Sequence, residues 1–138
     1  MDNCIFCQII SGEADRFLVY EDDLTMAFLD IFPVSHGHLL IVSKEHAENL
    51  FELSEEALVA VIKSSKKLAQ LIKDVLEPDG IMVAQLNGAA AGQTVFHYHM
   101  HLIPRRQGDS MDIHSRVPGD RLALGQLQQT LLAALGTS

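Results

Sequence analysis

Gly92-Gln93-Thr94-Val95-Phe96-His97-Tyr98-His99-Met100-His101-Leu102-Ile103-Pro104-Arg105 is the stretch that decides how the chain is read. Three histidines alternate with apolar residues. In an extended chain, side chains at successive positions point to opposite faces, so His97, His99 and His101 share one face while Tyr98 and Met100 turn toward a core. A strand is therefore expected from about Val95 to Pro104. Imidazole is a poor filler for an apolar sheet face, and packing alone does not account for three in strict alternation. Two chemistries do. Alternating histidines can ligate a metal, or they can present a nucleophile, because neutral imidazole attacks phosphorus and divides a difficult displacement into two easier ones. Such a nucleophile needs a partner on its second ring nitrogen to fix the tautomer, and donors for the charge that develops on phosphoryl oxygens. Gln93 and Thr94 supply donors just ahead of the histidines, and the small-residue loop Gly88 to Gly92 lets a phosphate approach the backbone.

Working outward, residues 5–11 have helical spacing and stop at Gly12. Phe17 to Glu21 and Thr25 to Asp30 read as strands joined by the acidic turn Glu21-Asp22-Asp23, and His38 to Ser43 reads as a third after Pro33. Ser54 caps a long helix whose first turn carries Glu55 and Glu56. Its apolar stripe runs through Leu58, Val61, Ile62, Leu68, Leu71, Ile72 and Val75, and Lys63, Lys66, Lys67 and Lys73 form its solvated face. Pro78-Asp79-Gly80 ends it, and a strand follows from Ile81 to about Leu86. Residues 105–119 read as a polar loop. Leu124, Leu127, Leu131 and Leu135 mark a final helix that Gly125 weakens. Five strands with one long helix imply an α+β meander.

A chain of 138 residues suits one domain with one core. No apolar run is long enough to cross a bilayer, the N-terminus lacks the pattern of a secretory signal, and a cytoplasmic location is expected. Eighteen acidic residues against ten basic ones leave a formal net charge of −8, which disfavours a nucleic-acid partner but permits a small phosphate held by histidines and amides. The two cysteines, Cys4 and Cys7, form a C-x-x-C pair with too little chain before it for a thioredoxin-like motif. Their spacing leaves open a metal site or two buried small residues.

The His-x-His-x-His run with its apolar continuation resembles the signature of histidine-triad (HIT) proteins. Cys4-Ile5-Phe6-Cys7, Phe28-Leu29-Asp30, Pro33, Gly37-His38 and Lys44-Glu45-His46 match that family in order and approximate spacing. The resemblance implies a HIT-like fold: a roughly five-stranded, mainly antiparallel sheet, one long helix, a short N-terminal helix and a C-terminal helical extension. Residues 1–106 would be the HIT domain, with the loop and helix of 107–138 part of the same single domain. His99 would be the nucleophile and His101 would hydrogen-bond a phosphate oxygen. His38 would hold His99 in its reactive tautomer or lie beside it in the phosphate site. Asp30 would accept from both ribose hydroxyls, which its two oxygens allow. Ile5, Phe6, Ile9, Phe28 and Ile31 would form the slot for the base, and Gln93 and Thr94 would contact phosphate and leaving group. Cys4, Cys7, His46 and His97 would be a closed structural zinc site. A homodimer with no nucleic-acid or membrane partner is also implied.

One departure stands out. Many relatives carry two polar residues before the glycine of the small-residue loop, whereas this chain has Leu86-Asn87-Gly88, so Asn87 either replaces the family's asparagine in the nucleotide's phosphate site or faces elsewhere. His36 and His114 have no role in this reading and are expected on the surface. The activity implied is hydrolysis of a purine nucleoside 5'-phosphoramidate, or a related conjugate, through a nucleotidyl-histidine. Hydrolysis of dinucleoside polyphosphates, or a slow-turnover purine nucleotide sensor or scaffold, is the alternative.

Overall fold

The computed structural model describes residues 3–136. The two residues at each end, included in the expected bounds 1–106 and 107–138, lie outside the described residues. Helix α1 (Ile5–Ser11) is followed by strands β1 (Leu18–Glu21), β2 (Thr25–Leu29) and β3 (Leu39–Ser43). Helix α2 (Glu55–Leu76) then leads to β4 (Gly80–Ala84), a 3-10 turn (Ala89–Ala91), β5 (His99–Arg105) and helix α3 (Arg121–Gly136). The sheet order is β1-β2-β3-β5-β4, and every neighbouring pair is antiparallel. Among the described residues no helix is long and apolar enough to cross a membrane.

The sheet separates two apolar layers. Val19, Ala27, Leu29, Leu39, Ile41, Tyr98, Met100 and Leu102 face α2 and α3, which contribute Val61, Leu68, Ile72, Leu124, Leu127 and Leu131. Met26, Phe28, Leu40 and Val42 face the other way, under Phe6 and Ile9 of α1. Alternation along β2 and β3 sorts these side chains, and the same rule on β5 puts His99 and His101 on the α1 side. His99 pairs with Val42 and His101 with Leu40, both members of that smaller layer.

Local chemistry explains the ends of the elements. The Ser54 side chain accepts from the Ala57 N–H at 3.2 Å, a cap worth about 1 kcal/mol. At the other end of α2, Glu77 takes a left-handed conformation (φ 48°), and Arg106 donates to the carbonyls of Leu76 and Glu77. Asp22 organises the β1–β2 turn by accepting from the N–H groups of Leu24 and Thr25. Gly37 has φ +98°, and a Cβ there would lie 2.5 Å from Leu76 Cδ1 and 3.0 Å from Pro104 Cγ. Only glycine fits, and it fixes where His38 begins the approach to β3.

The histidine strand starts later than its alternation suggests, at His99 instead of Val95. Ahead of His99 the chain pairs with the segment after β3: Tyr98 N–H donates to the Ala47 carbonyl at 2.8 Å, and Ser43 N–H to the Tyr98 carbonyl at 3.4 Å. The side chains keep their sides, since Phe6 meets the rings of both His97 and His99 edge-on while Tyr98 is buried in the opposite layer. Strand β4 likewise ends at Ala84, not near Leu86, because Gln85 and Asn87 pair with each other through their side-chain amides.

Candidate functional site

His97 is fully buried and its orientation is set by one bond. Its Nε2–H donates to the Ser43 carbonyl at 2.6 Å, so the lone pair of the neutral ring sits on Nδ1. That Nδ1 lies 3.3 Å from Cys4 Sγ, 3.6 Å from Cys7 Sγ and 3.2 Å from His46 Nδ1, and His46 Nδ1 lies 3.2 Å from Cys7 Sγ. A tetrahedral ion with bonds of about 2.0 Å to nitrogen and about 2.3 Å to sulfur would set nitrogen pairs about 3.3 Å and sulfur–nitrogen pairs about 3.5 Å apart. The donor set therefore has both the chemistry and the spacing to hold such an ion. Burial, followed by the Cys4 thiol beside it, pushes the Cys7 thiol up to about 11. A cation is what lets such a thiol ionise at neutral pH. Cys4 also caps α1 by accepting from the Cys7 N–H, so this helix is anchored at the cluster.

Two residues further on, the arrangement changes. His99 Nδ1 lies 2.6 Å from the His97 carbonyl, which can only accept, so Nδ1 carries the proton and Nε2 the lone pair. Val34 N–H donates to His38 Nδ1 at 3.2 Å, which leaves the His38 proton on Nε2, 3.0 Å from His101 Nδ1. His101 in turn must carry its proton on Nε2, and that buried nitrogen has no hydrogen-bond partner. The chain of bonds thus ends in one unanswered donor beside one unprotonated imidazole nitrogen. Burial pushes the His38 and His101 pKa values down, to about 4 and about 3, and lowers that of His99. All three rings are neutral at pH 7, as the bonding pattern requires. Asp30 lies 3.6 Å from His38 Nε2 through one carboxylate oxygen, while the other accepts from Phe32 N–H at 2.8 Å.

His99 and His101 line a cavity of about 320 Å³ whose remaining wall includes Ile5, Phe6, Phe28, Asp30, Ile31 and Thr94. Phe6 and Phe28 meet edge-on at 5.4 Å. One end of the cavity is thus apolar and aromatic, and the other carries imidazoles.

The fold and this geometry have counterparts. Residues 11–108 match the model of the HIT domain. Protein hit of Bacillus subtilis is 47% identical over 104 residues, covering 75% of this chain and 72% of that protein. Among solved structures, a zinc-bound histidine triad family protein from Mycobacterium smegmatis superposes with a TM-score of 0.86 at 34% identity, covering 99% of this chain and 95% of the other. A hypothetical histidine triad nucleotide-binding protein from Sulfolobus tokodaii gives 0.88 at 35%, covering 97% and 93%. The chain belongs to the HIT family.

Within this HIT fold, the other expected residues fall in different places. Ile9 is buried beneath the cavity in the smaller apolar layer and is not part of its wall. Gln93 braces the small-residue loop instead of facing the cavity: its Oε1 accepts from Gly88 N–H, and its Nε2 donates to the carbonyls of Glu48 and Val95. Asn87 Oδ1 accepts from Leu50 N–H and from Gln85 Nε2, and its Nδ2 donates to Gln85 Oε1, so both of its amide atoms are used by the loops. Of the two roles foreseen for His38, the bond to His99 is taken instead by the His97 carbonyl. His36 and His114 are both exposed, and His114 also lines the cavity; its Nε2–H donates to the Gly92 carbonyl at 2.6 Å, and its ring lies 5.8 Å from that of His101. The 106–119 loop is tied to the HIT core through this bond and through Arg105, whose guanidinium donates to the Asp112 carbonyl. Arg16 also lines the cavity. Nothing in the local sequence around positions 16 and 114 signals this, because both reach the site only through tertiary folding.

Proposed function

We propose that this protein hydrolyses purine nucleoside 5'-phosphoramidates, or closely related nucleoside monophosphate conjugates, through a covalent nucleotidyl-histidine on His99. The observation that carries this reading is the tautomer of His99. With Nδ1–H tied to the His97 carbonyl, the Nε2 lone pair is free in the cavity next to the unpartnered His101 Nε2–H.

In the first step His99 Nε2 attacks the α-phosphorus, a nitrogen–phosphorus bond forms, and the bond to the leaving amine breaks as that amine takes a proton from solvent. His101 Nε2–H donates to a phosphoryl oxygen, with its lone-pair side fixed by His38. In the second step water attacks phosphorus and gives up a proton to solvent, the bond to His99 breaks, and the nucleoside monophosphate leaves with the ring returned to its neutral form. Asp30 accepts from the ribose hydroxyls, Ile5, Phe6, Phe28 and Ile31 hold the base, and Thr94 contacts phosphate or leaving group. Zinc held by Cys4, Cys7, His46 and His97 would be structural, with four protein ligands and no open coordination position. It would supply rigidity, fixing α1 and its slot residues against the histidine segment.

A homodimer accompanies this reading. Strand β4 lies at the sheet edge, and Val83 on it and Val59 and Ile62 on α2 are about half exposed. An unpaired edge strand carrying an exposed apolar side chain needs a cover. Size-exclusion chromatography with light scattering tests the dimer, and a monomeric mass at micromolar concentration would remove it.

The activity is tested by intact-protein mass spectrometry, quenched seconds after mixing with adenosine or guanosine 5'-phosphoramidate. A nucleotidyl adduct that maps to His99 and disappears in His99→Ala is expected. No adduct together with no product would replace hydrolysis with the slow-turnover sensor.

A further inference from the structure

We propose that Arg16 reads the edge of the bound base and makes this cavity selective for a 6-oxopurine nucleotide, guanine or hypoxanthine, over adenine. The inference rests on the cavity being a nucleotide site and goes beyond it to name the base.

Ring contacts order the cavity. His99 meets Phe6 at 5.0 Å, Phe6 meets Phe28 at 5.4 Å, and the Arg16 guanidinium carbon lies 5.8 Å from the Phe28 ring centre. Arg16 is therefore at the end away from the nucleophile, past the aromatic pair, where a nucleotide with its phosphorus at His99 and its ribose at Asp30 would carry its base. The guanidinium is half-buried, and its Nε has neither water access nor a hydrogen-bond partner. No ion pair or hydrogen bond occupies its side chain among the described residues. Burial lowers its pKa, the nearby Asp30 charge opposes that, and Arg121 adds repulsion. A buried donor without an acceptor is costly, and the side chain that carries it lines a cavity that a ligand can enter.

The fork selects by what it can pair with. Arginine offers only donors. Guanine presents two adjacent acceptors, O6 and N7, which a guanidinium meets with two parallel bonds, whereas adenine presents N7 beside an amino donor. With adenine one arm of the fork would face another donor. Phe17 carries Arg121 over its own ring at 5.1 Å, so that second cation has a separate seat and leaves the base edge to Arg16.

The test is calorimetric titration of GMP and AMP into the purified protein, its Arg16→Ala and Arg16→Lys variants, and Asp30→Ala. GMP should bind the unsubstituted protein roughly 5- to 150-fold more tightly than AMP. Arg16→Ala should bring the two affinities together by weakening GMP far more than AMP, which has only N7 to lose. Arg16→Lys, which keeps the charge but not the fork, should retain only a small preference. An unchanged melting temperature and circular dichroism spectrum in the Arg16 variants shows that the fold is intact. Equal affinities in the unsubstituted protein, or equal weakening of both nucleotides by Arg16→Ala, would overturn the base-reading role while Asp30-dependent binding kept the nucleotide site. Failure of both nucleotides to bind, or binding indifferent to Asp30→Ala, would instead overturn the nucleotide site and this proposal with it.

Discussion

The histidine segment feeds two clusters that look alike in composition and behave differently. Cys4, Cys7, His46 and His97 bring their ligand atoms together, and so do Asp30, His38 and His101; both groups have the proximity needed for a metal. The difference lies in where the ring protons go. His97 gives its proton away to the Ser43 carbonyl, which turns a lone pair toward two thiols and a second imidazole. His38 points its proton at His101, so the nitrogen–nitrogen contact is filled by hydrogen and the lone pairs there are already used. One backbone acceptor aims a lone pair into the Cys/His cluster, and one backbone donor makes a relay. The bonding partner of the second nitrogen, more than the histidine itself, assigns the chemistry.

The hardest blow to this division is His99→Ala. Turnover of a fluorogenic nucleoside phosphoramidate should fall by about 10⁴-fold or more, with nucleotide affinity almost unchanged in a direct titration. Activity that survives would place the nucleophile elsewhere. His101→Ala removes a single phosphate donor and should lower kcat by about 10²- to 10³-fold with little change in KM. A loss confined to KM would make that ring a ground-state contact only.

Acid sharpens the contrast. Burial holds His38 and His101 at about 4 and about 3 in the folded protein, against an ordinary value of 6.5. The unfolded chain therefore takes up protons first as pH drops, so stability is fully present above 6.5 and is lost progressively toward pH 4. Melting temperature should decline already between pH 6.5 and 5, above the range where exposed carboxylates titrate. His99, also lowered, should keep the acid limb of kcat/KM below pH 6.5. A flat melting profile across that interval would mean that the relay is not neutral. The smallest catalytic effect is expected from Cys4→Ser. Metal content per chain, read by atomic emission, should drop and the melting temperature with it, while kcat of the folded protein changes by about tenfold or less. If kcat collapsed as far as in His99→Ala, the first cluster would have to take part in the chemistry.

Much of this was legible in the sequence because it depends on short-range rules. The sidedness of His99, Met100 and His101 follows from strand geometry, the bounds of α1 from Ile5 to Gly12, and the start of α2 from Ser54. What escaped was set by tertiary bonds. Val95 to His97 read as strand, yet the Val95 carbonyl accepts from the Gln93 side chain and the His97 ring donates to the Ser43 carbonyl. Gln93 and Asn87 have the right chemistry for phosphate, but the amides of Gly88 and Leu50 reach them first. His114 and Arg16 lie on the rim because the 106–119 loop folds back and because β1 begins beside Phe28, neither of which leaves a local pattern.

His97 belongs to both halves of the comparison: its ring nitrogens are held by Ser43 and by the thiol cluster, and its carbonyl receives the Nδ1–H of His99. The side chain of one residue and the main chain of the same residue thus answer to different sites. For experimental design this separates two kinds of probe. Any substitution at position 97 would disturb the proposed metal ligand and also the seat of the carbonyl that holds the His99 Nδ1–H, so its phenotype would be composite. Cys4 and His46 report on the cluster with the acceptor's own residue intact, and a signal from the His99 ring, followed as metal is withdrawn from an unsubstituted chain, would show how far disorder in one site travels through a single peptide unit to the other.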